Sequence, residues 1–375
     1  MLGSVPDEER KCMKCTVAKR FRVVVVILLH LPVSTGRHAH GRGHWRVIAS
    51  AGLGASRALH YLRPVEKRIL ITGGAGFIGS ALAKLMVAQG HSVSILDNLS
   101  FGRRELAPVP DAQFLKVDIR DREAVGHVLA EVRPQWVLHL AAIHFIPYCN
   151  SHPVEAADIN INGTIHVLDG AAGISGVEKV FTASTAAVYP ICNEALDEEH
   201  ATGPLDIYGT SKLATERITQ AFHARTGIPS IIGRFFNAFG PNETNPHLIP
   251  EIQRQVLAGE RTLRLGNRGP KRDFIHTEDM GRAMDALLKA DLRGCETFNI
   301  GRGIEYSVQD IVDAFSRQLG QPLTVVTDPG RVRKVERMHL LADVSKLKRQ
   351  TGWEPRWGID EGVATLLKSD RPVFA

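Results

Sequence analysis

Cysteine is scarce in this chain: five residues in 375, at positions 12, 15, 149, 192 and 295. An odd, scattered set argues against a disulfide framework and for a reducing compartment. Cys12-Met13-Lys14-Cys15 has half of a zinc spacing, but no second pair lies nearby, so no metal ligand is assigned. A run able to span a bilayer is also missing. Val23 to Leu31 is nearly all apolar, yet His30 interrupts it, Pro32 ends it, and it reaches about half the required length. No membrane partner is expected. There is no internal repeat. A basic surface is lacking too, despite a formal net charge of +6. Residues 1–68 hold 13 Lys and Arg against 4 Asp and Glu, leaving 33 basic and 36 acidic residues in the remainder. That remainder has no general phosphate-neutralising surface, so no nucleic acid is expected. Lys271-Arg272 and Arg331-Val332-Arg333-Lys334 remain for a small anionic ligand.

Residues 1–65 differ from the rest. Lys11 to Arg22 is basic, the short apolar run follows, and Ser34-Thr35-Gly36 is small, as in a signal peptide. His38 to Ser56 is rich in Gly, His, Arg and Ala without apolar periodicity. The stretch reads as an unstructured tail, or as an open reading frame begun too far upstream. The absence of a disulfide pattern agrees with a cytoplasmic location.

From Arg68 the pattern is regular. Short apolar runs at Ile69–Ile71, Val93–Leu96, Phe114–Val117, Trp136–Leu140, Val180–Thr182 and Ser230–Arg234 read as strands. Helical segments come between them, notably Phe77–Gln89, Arg122–Glu131, Ile159–Ala172 and Ser211–Arg225. Such alternation predicts an α/β fold with a doubly wound parallel sheet. Residues 66–236 would form mainly a dinucleotide-binding domain of Rossmann type. Residues 237–375 would form mainly a smaller substrate-binding lobe, with some segments returning to the sheet.

What is abundant is chemistry in a fixed order. Thr72-Gly73-Gly74-Ala75-Gly76-Phe77-Ile78-Gly79 links the first strand to the first helix. Gly73 and Gly76 permit a tight turn and close approach of a pyrophosphate. Gly79 lets helix and sheet pack closely, and the helix amino terminus favours the negative charge. Asp97 ends the second strand, where a carboxylate accepts hydrogen bonds from the adenine ribose and repels a 2′-phosphate. NAD is therefore favoured over NADP, although Arg103 and Arg104 are close in sequence. Asp118, after the third strand, suits either an adenine contact or a helix cap before Arg122.

Ser184-Thr185 and Tyr208-Gly209-Thr210-Ser211-Lys212 follow. Tyr208 and Lys212 are four apart and share one face of a helix. A tyrosine ordinarily loses its proton near pH 10. The ammonium and an oxidised nicotinamide ring both favour phenolate and should lower that value. The phenolate can then take the proton of an alcohol, with Thr185 hydrogen-bonding the same oxygen.

With these motifs the chain resembles the extended short-chain dehydrogenase/reductase family, specifically the nucleotide-sugar epimerases and dehydratases. The resemblance spans roughly residues 67–368. It includes His139-Leu140-Ala141-Ala142, Asn160-Ile161-Asn162-Gly163-Thr164, Arg234-Phe235-Phe236-Asn237-Ala238-Phe239-Gly240-Pro241, Arg272-Asp273-Phe274-Ile275-His276, Ala342-Asp343-Val344-Ser345-Lys346 and Gly352-Trp353. It implies that Phe77, Ile78, Asn98, Asp118, Ile119, Ala141, Ala142, Asn160 and Phe235 border the cofactor, with Tyr208 and Lys212. Thr185, Asn237, Leu248, Arg272 and Arg331 would hold a nucleotide-diphosphate sugar. Guanidinium forks match phosphates, and Arg333 or Arg337 could serve in place of Arg331. A homodimer is also the family habit.

The residues after Thr185 discriminate among reactions. In the resembled dehydratases, Asp-Glu at this point supplies acid and base for loss of water. Here Ala186-Ala187 stand there, and neither can move a proton. The resemblance then implies epimerisation at C4, most simply of UDP-glucose and UDP-galactose, with a dehydratase or reductase as the alternative. A non-catalytic sensor or assembly protein of the same fold is a further alternative, opposed by the intact Thr185, Tyr208 and Lys212. His144 and the segment Ile143–Asn150 depart from the family pattern at the edge of the sugar pocket.

Overall fold

The computed structural model describes residues 66–368, apart from Thr244 and residues 333–336. The expectation of a tail over residues 1–65, the Cys12–Cys15 pair and Arg333 lie outside the described residues.

The chain alternates as the sequence pattern requires. Strand β1 (Arg68–Thr72) leads to helix α1 (Phe77–Ala88), then β2 (Ser92–Leu96) and β3 (Phe114–Leu115). Helix α2 (Arg122–Val132) precedes β4 (Trp136–His139), and two short helices follow, α3 (Ile146–Ser151) and α4 (Pro153–Ala157). Helix α5 (Gly163–Ala172), β5 (Lys179–Thr185), α6 (Ile207–Thr226) and β6 (Ser230–Phe235) complete the regular part. Beyond it come β7 (Asn237–Phe239), α7 (Leu248–Leu257), β8 (Thr262–Leu265), β9 (Lys271–His276) and α8 (Thr277–Lys289). Strands β10 (Cys295–Ile300) and β11 (Glu305–Ser307), helix α9 (Val308–Leu319), β12 (Thr324–Thr327), α10 (Ser345–Thr351) and α11 (Ile359–Leu367) end the described chain.

Seven strands form one sheet in the order β10-β6-β5-β4-β1-β2-β3, and every pair is parallel. The chain runs outward from β1 to β3, then returns to build β4 on the other side of β1. The carboxyl ends of β1 and β4 therefore flank a switch point, where open α/β sheets bind ligands. The apolar side chains show why the sheet is covered twice. Ile69 and Ile71 face Leu82 and Met86 of α1 and Met284 and Leu287 of α8. Leu70 faces the other way, with Leu129 of α2, Val167 of α5 and Phe222 of α6. Leu70 and Ile71 are fully buried, and each such side chain contributes about 1.5–3 kcal/mol.

Three local features depart from the sequence reading. Only Phe114 and Leu115 of the third strand pair with β2, against an expected run to Val117. Helix α6 begins at Ile207 rather than Ser211, because the Asp206 carboxylate accepts from Gly209 N at 2.8 Å and caps it there. Strand β10, which no alternation signalled, extends the sheet beside β6.

The rest of the chain forms smaller sheets. Strand β9 lies between β7 and β11, and β8 pairs with β12. Helices α7, α9 and α11 bury Ile252, Ile311, Phe315 and Val363 around a second core.

Candidate active site

The glycine turn after β1 is shaped by contacts that side chains would destroy. Gly73 sits at φ +72, and a Cβ there would lie 2.7 Å from Ala141 N, at the end of β4. A Cβ on Gly79 would lie 2.1 Å from Gly73 O. The turn therefore stays close to both the sheet and the start of α1, leaving backbone on the side of the switch point. Gly76, Phe77 and Ile78 continue it into α1.

Asp97 follows β2 and is 7% exposed. Its carboxylate accepts from Ala75 N at 3.0 Å and from Leu99 N at 2.9 Å. This ties the acid to the glycine turn, while burial raises its pKa. Arg104 is taken up locally, by Ala107 O, Val109 O and Asp111. Arg103 lies 3.8 Å from Glu105. Asn98 donates to Asp118 at 2.9 Å. Asp118 also accepts from Arg120, whose guanidinium holds its carboxyl down at about 2. Of the two readings of Asp118, the helix cap belongs instead to Asp121, which accepts from Ala124 N at 3.0 Å. Ile119 is buried, in the same core as α2 and α5.

Asn160 lies in a π turn over Asp158–Asn162 and is fully buried. Its amide accepts from Ile143 N at 2.9 Å and donates to Ile143 O at 3.0 Å and Ser211 Oγ at 2.9 Å. Those bonds use both donors of the amide, so the residue positions the Ala141–Ile143 segment and α6. Both N–H groups of the amide are thereby engaged within the protein. His139 is buried between Thr72 Oγ1 at 2.8 Å and Thr164 Oγ1 at 2.9 Å. Thr164 donates to Asn160 O at 2.6 Å, so it must accept from His139 Nε2. Nε2 therefore carries a proton, and burial pushes the ring's pKa down to about 3, which favours the neutral form.

Thr185 and Tyr208 meet where β5 adjoins α6, with Lys212 one turn further along that helix. Thr185 ends β5, and its hydroxyl accepts from Ala187 N at 3.2 Å, closing a short turn over Ala186–Val188. Gly209 lets α6 lie against that turn, since a Cβ there would stand 2.6 Å from Ala187 O. Tyr208 and Thr185 thus lie close enough for Thr185 to favour the phenolate. Tyr208 packs on Ile143, Cys149 and Ala156. Burial pushes the phenol upward, the opposite of the expected direction, and the Thr185 hydrogen bond acts against it. Lys212 is 2% exposed. Burial draws its ammonium down to about 8, while Glu216 works to raise it.

Glu216 was missed in the sequence. It lies one turn beyond Lys212 and accepts from Arg234 Nε at 2.9 Å, Arg234 Nη2 at 2.8 Å and Ser184 Oγ at 2.5 Å. Arg234 also donates to Tyr189 OH at 2.9 Å. Its repeat of the four-residue step from Tyr208 and Lys212 was the available signal.

The expected substrate residues are less concentrated. Phe235 stacks on Phe181 with ring centres 6.1 Å apart. Asn237 opens β7 and Leu248 opens α7; both are half-buried. Arg272 donates to Lys271 O and Arg337 O. Arg337 in turn donates to Tyr189 O at 2.7 Å and Pro190 O at 3.0 Å, just beyond the Thr185 turn. Arg331 is held by Glu251 at 2.9 Å and Asp328 at 3.3 Å. Arg272 and Arg337 are thus neighbours, whereas Arg331 joins α7. A polar cavity of about 360 Å³, lined by Arg302, Tyr306, Asp310, Arg317 and Asp360 among others, contains none of the expected site residues.

Two side-chain clusters also went unread in the sequence: His144, Glu243 and His247, and Cys192, Glu194 and His200. Among the described residues no helix is long and apolar enough to cross a membrane.

Residues 70–366 match the family model described as GDP-mannose 4,6 dehydratase. The UDP-glucose 4-epimerase of Corynebacterium glutamicum is 32% identical over 305 residues, covering 77% of this chain and 91% of that protein. That of Bacillus subtilis is 31% identical, over 78% of this chain and 94% of its own length. The crystal structure of Thermus thermophilus UDP-glucose 4-epimerase in complex with NAD has a TM-score of 0.72 at 30% identity, covering 80% of this chain and 97% of that one. The Thermotoga maritima enzyme with UDP-glucose gives 0.73 at 27% identity, covering 80% and 97%. The chain belongs to the extended short-chain dehydrogenase/reductase family, on its nucleotide-sugar epimerase and dehydratase branch.

Proposed function

We propose that this member of the family is an NAD-dependent nucleotide-sugar 4-epimerase, acting most simply on UDP-glucose and UDP-galactose. One observation carries the reading: α6 sets the Tyr208 phenol against Thr185 at the end of β5, with Lys212 one helical turn further on, beside a turn whose next two residues are alanines. Relatives named UDP-glucose 4-epimerase, matched over nearly their whole length, support it.

The residues at the switch point fit NAD. Gly73 and Gly79 form a cradle that a Cβ would fill, and Asp97 presents a carboxylate fixed to that cradle. Asp97 would hold the adenine ribose and disfavour a 2′-phosphate, and Arg104 is engaged elsewhere. Gly76, Phe77, Ile78, Asn98, Asp118, Ile119, Ala141, Ala142 and Phe235 would border the cofactor, with Asn160 acting through Ile143. When bound, NAD would supply the hydride acceptor for C4, and the hydride would return to the opposite face of C4 once the 4-keto sugar has turned over in the site.

The chain's own groups move the proton. Tyr208 accepts it from the C4 hydroxyl and returns it to the same oxygen, so no second acid is needed. Thr185 donates a hydrogen bond to that oxygen and keeps it aimed at the phenol. Thr185 offsets part of the burial that raises the phenol, and Lys212, one helical turn on, would supply positive charge that favours the phenolate. Arg272 and Arg337 are favoured for the diphosphate, Arg331 serves from the side of α7, and Asn237 and Leu248 border the nucleotide. We propose also a cytoplasmic homodimer; Val154 of α4, 82% exposed, and Ile165 of α5, 43% exposed, are apolar residues for such a contact.

The deciding experiment is incubation of the purified protein with a panel of nucleotide sugars, with products resolved by chromatography. Equilibration of UDP-glucose with UDP-galactose is expected. A 4-keto-6-deoxy sugar as main product would establish the dehydratase alternative instead.

A further inference from the structure

Two segments about a hundred residues apart in sequence bring His144, Glu243 and His247 to one point. One ring nitrogen of each histidine and one carboxylate oxygen of Glu243 all lie within 4.8 Å of one another. Both histidines are exposed, and Glu243 is 6% exposed behind them. Their backbones are fixed. Asn160 grips Ile143, the residue before His144, through both its N–H and its carbonyl. His247 is the N-cap of α7, and its carbonyl accepts from Glu251 N at 3.0 Å. Asn245 steadies two members of the set. Its amide is 3.1 Å from His144 Nε2, and its backbone N–H donates to Glu243 at 3.1 Å. With its amide turned to present the oxygen to that nitrogen, Asn245 would orient His144 as outer partners orient the ligands of a metal ion.

We propose that His144, Glu243 and His247 form a binding site for a divalent transition-metal ion of the zinc class. Two imidazoles and one carboxylate suit such an ion and not magnesium or calcium, which take oxygen ligands. Metal–ligand bonds of about 2.0–2.2 Å place tetrahedral ligand atoms roughly 3.3 Å apart. The present spacing closes to that by small side-chain rotations at the two exposed histidines. Three protein ligands leave at least one position for water or another oxygen ligand on the open side. The site borders the proposed sugar pocket, with His144 within electrostatic reach of Lys212, but metal binding there is not required by the hydride and proton chemistry proposed above.

The test uses the full chain with its nicotinamide cofactor retained. The protein is stripped with a chelator and titrated with Co²⁺, and the visible absorption and bound metal are measured. One equivalent bound through nitrogen and oxygen is expected. His247→Gln and Glu243→Gln should each weaken it by at least about tenfold. His200→Gln, which opens the other cluster, should leave it intact. Melting curves of the stripped variants establish folding, and His144→Gln provides a second exposed position if either fails to fold. Uptake unchanged in the folded variants overturns the proposal. So does uptake that carries only a thiolate charge-transfer band, because the metal then sits on cysteine. Epimerase activity is not the readout, so failure here leaves the proposed function untouched.

Discussion

Glu216→Gln isolates the carboxylate behind the reactive lysine. The side chain is 2% exposed and its partner Arg234 is 7% exposed. The substitution keeps the shape and one acceptor oxygen, but removes the charge that faces both nitrogens of the guanidinium fork. Tyr189 OH and Glu198 O would remain to Arg234. Neither neutralises it. Breaking a buried pair from one side costs about 3–5 kcal/mol, and the retained oxygen places this case near the lower end. Unfolding entropy of about 2.1 cal/mol/K per residue, over roughly 300 residues, converts that to a fall of about 5 °C in Tm. A second effect is chemical. Glu216 raises the Lys212 ammonium against burial. Without it the lysine pKa drops below its present value of about 8. A lower pKa means less ammonium at any given pH, so the alkaline limb of the rate profile should move to lower pH. The assays are calorimetric melting and initial epimerisation rates from pH 6 to 10. A neutral tryptic map or a simple loss of rate would not suffice. A Tm within about 1 °C of the parent together with an unmoved alkaline limb refutes the reasoning.

Tyr208→Phe keeps the ring and removes the proton acceptor, so turnover should fall at least about a hundredfold while bound NAD, read after denaturation, stays near the parental amount. Normal interconversion of the C4 epimers by this variant would dismiss the assignment of Tyr208. Asp97→Ala should weaken NAD retention and let NADP compete, since the repelling carboxylate is gone; competitive binding of the two cofactors measures it, and equal binding by the parent protein would contradict the premise. Stability should fall in mild acid, because the folded value of His139, about 3, lies below its unfolded value of 6.5. The unfolded chain then binds a proton that the folded chain refuses, so the stability present above pH 6.5 is lost as pH drops toward 3. This one group should remove about 2 kcal/mol between pH 7 and pH 5, read from urea unfolding, and His139→Asn should flatten the slope.

The sheet was legible because both of its faces are covered. Ile69-Leu70-Ile71 and Val180-Phe181 have no polar face to hide, and such runs between helical segments leave few arrangements. Strand β10 was not legible, since Cys295-Glu296-Thr297 is polar and partly exposed at the sheet edge beside β6. The placement of Tyr208 and Lys212 on one helix near Thr185 was legible from type and spacing. Their electrostatics were not: spacing placed Lys212 near Tyr208, but the burial that drives the phenol up and the ammonium down depends on the surroundings. Asn160 shows the same limit. The residue type suited a cofactor contact, and only its partners reveal that its amide is spent on Ile143 and Ser211. Long-range clusters such as Glu216 with Arg234, or His144 with His247, require the strand order before any spacing has meaning.

The family model carries the name of a dehydratase, the relatives that of an epimerase, and the turn after β5 separates the two. Elimination of water needs an acid and a base beyond the tyrosine, and Ala186-Ala187 stand where the dehydratases carry them. Packing makes this more than a missing pair of side chains. Ala186 is 2% exposed, within an apolar cluster that includes Val188, Tyr189, Leu196 and Phe236. A carboxylate at 186 would be buried among those side chains and would meet a desolvation cost of several kcal/mol unless the cluster opened. The carbonyl of Ala187 is pressed against Gly209, so the turn has little room to swing outward while α6 keeps Tyr208 beside Thr185. The contact that assembles the proton acceptor thus also holds position 186 in apolar surroundings. Such a turn suits the proposed chemistry, in which the proton goes back to the oxygen from which it came.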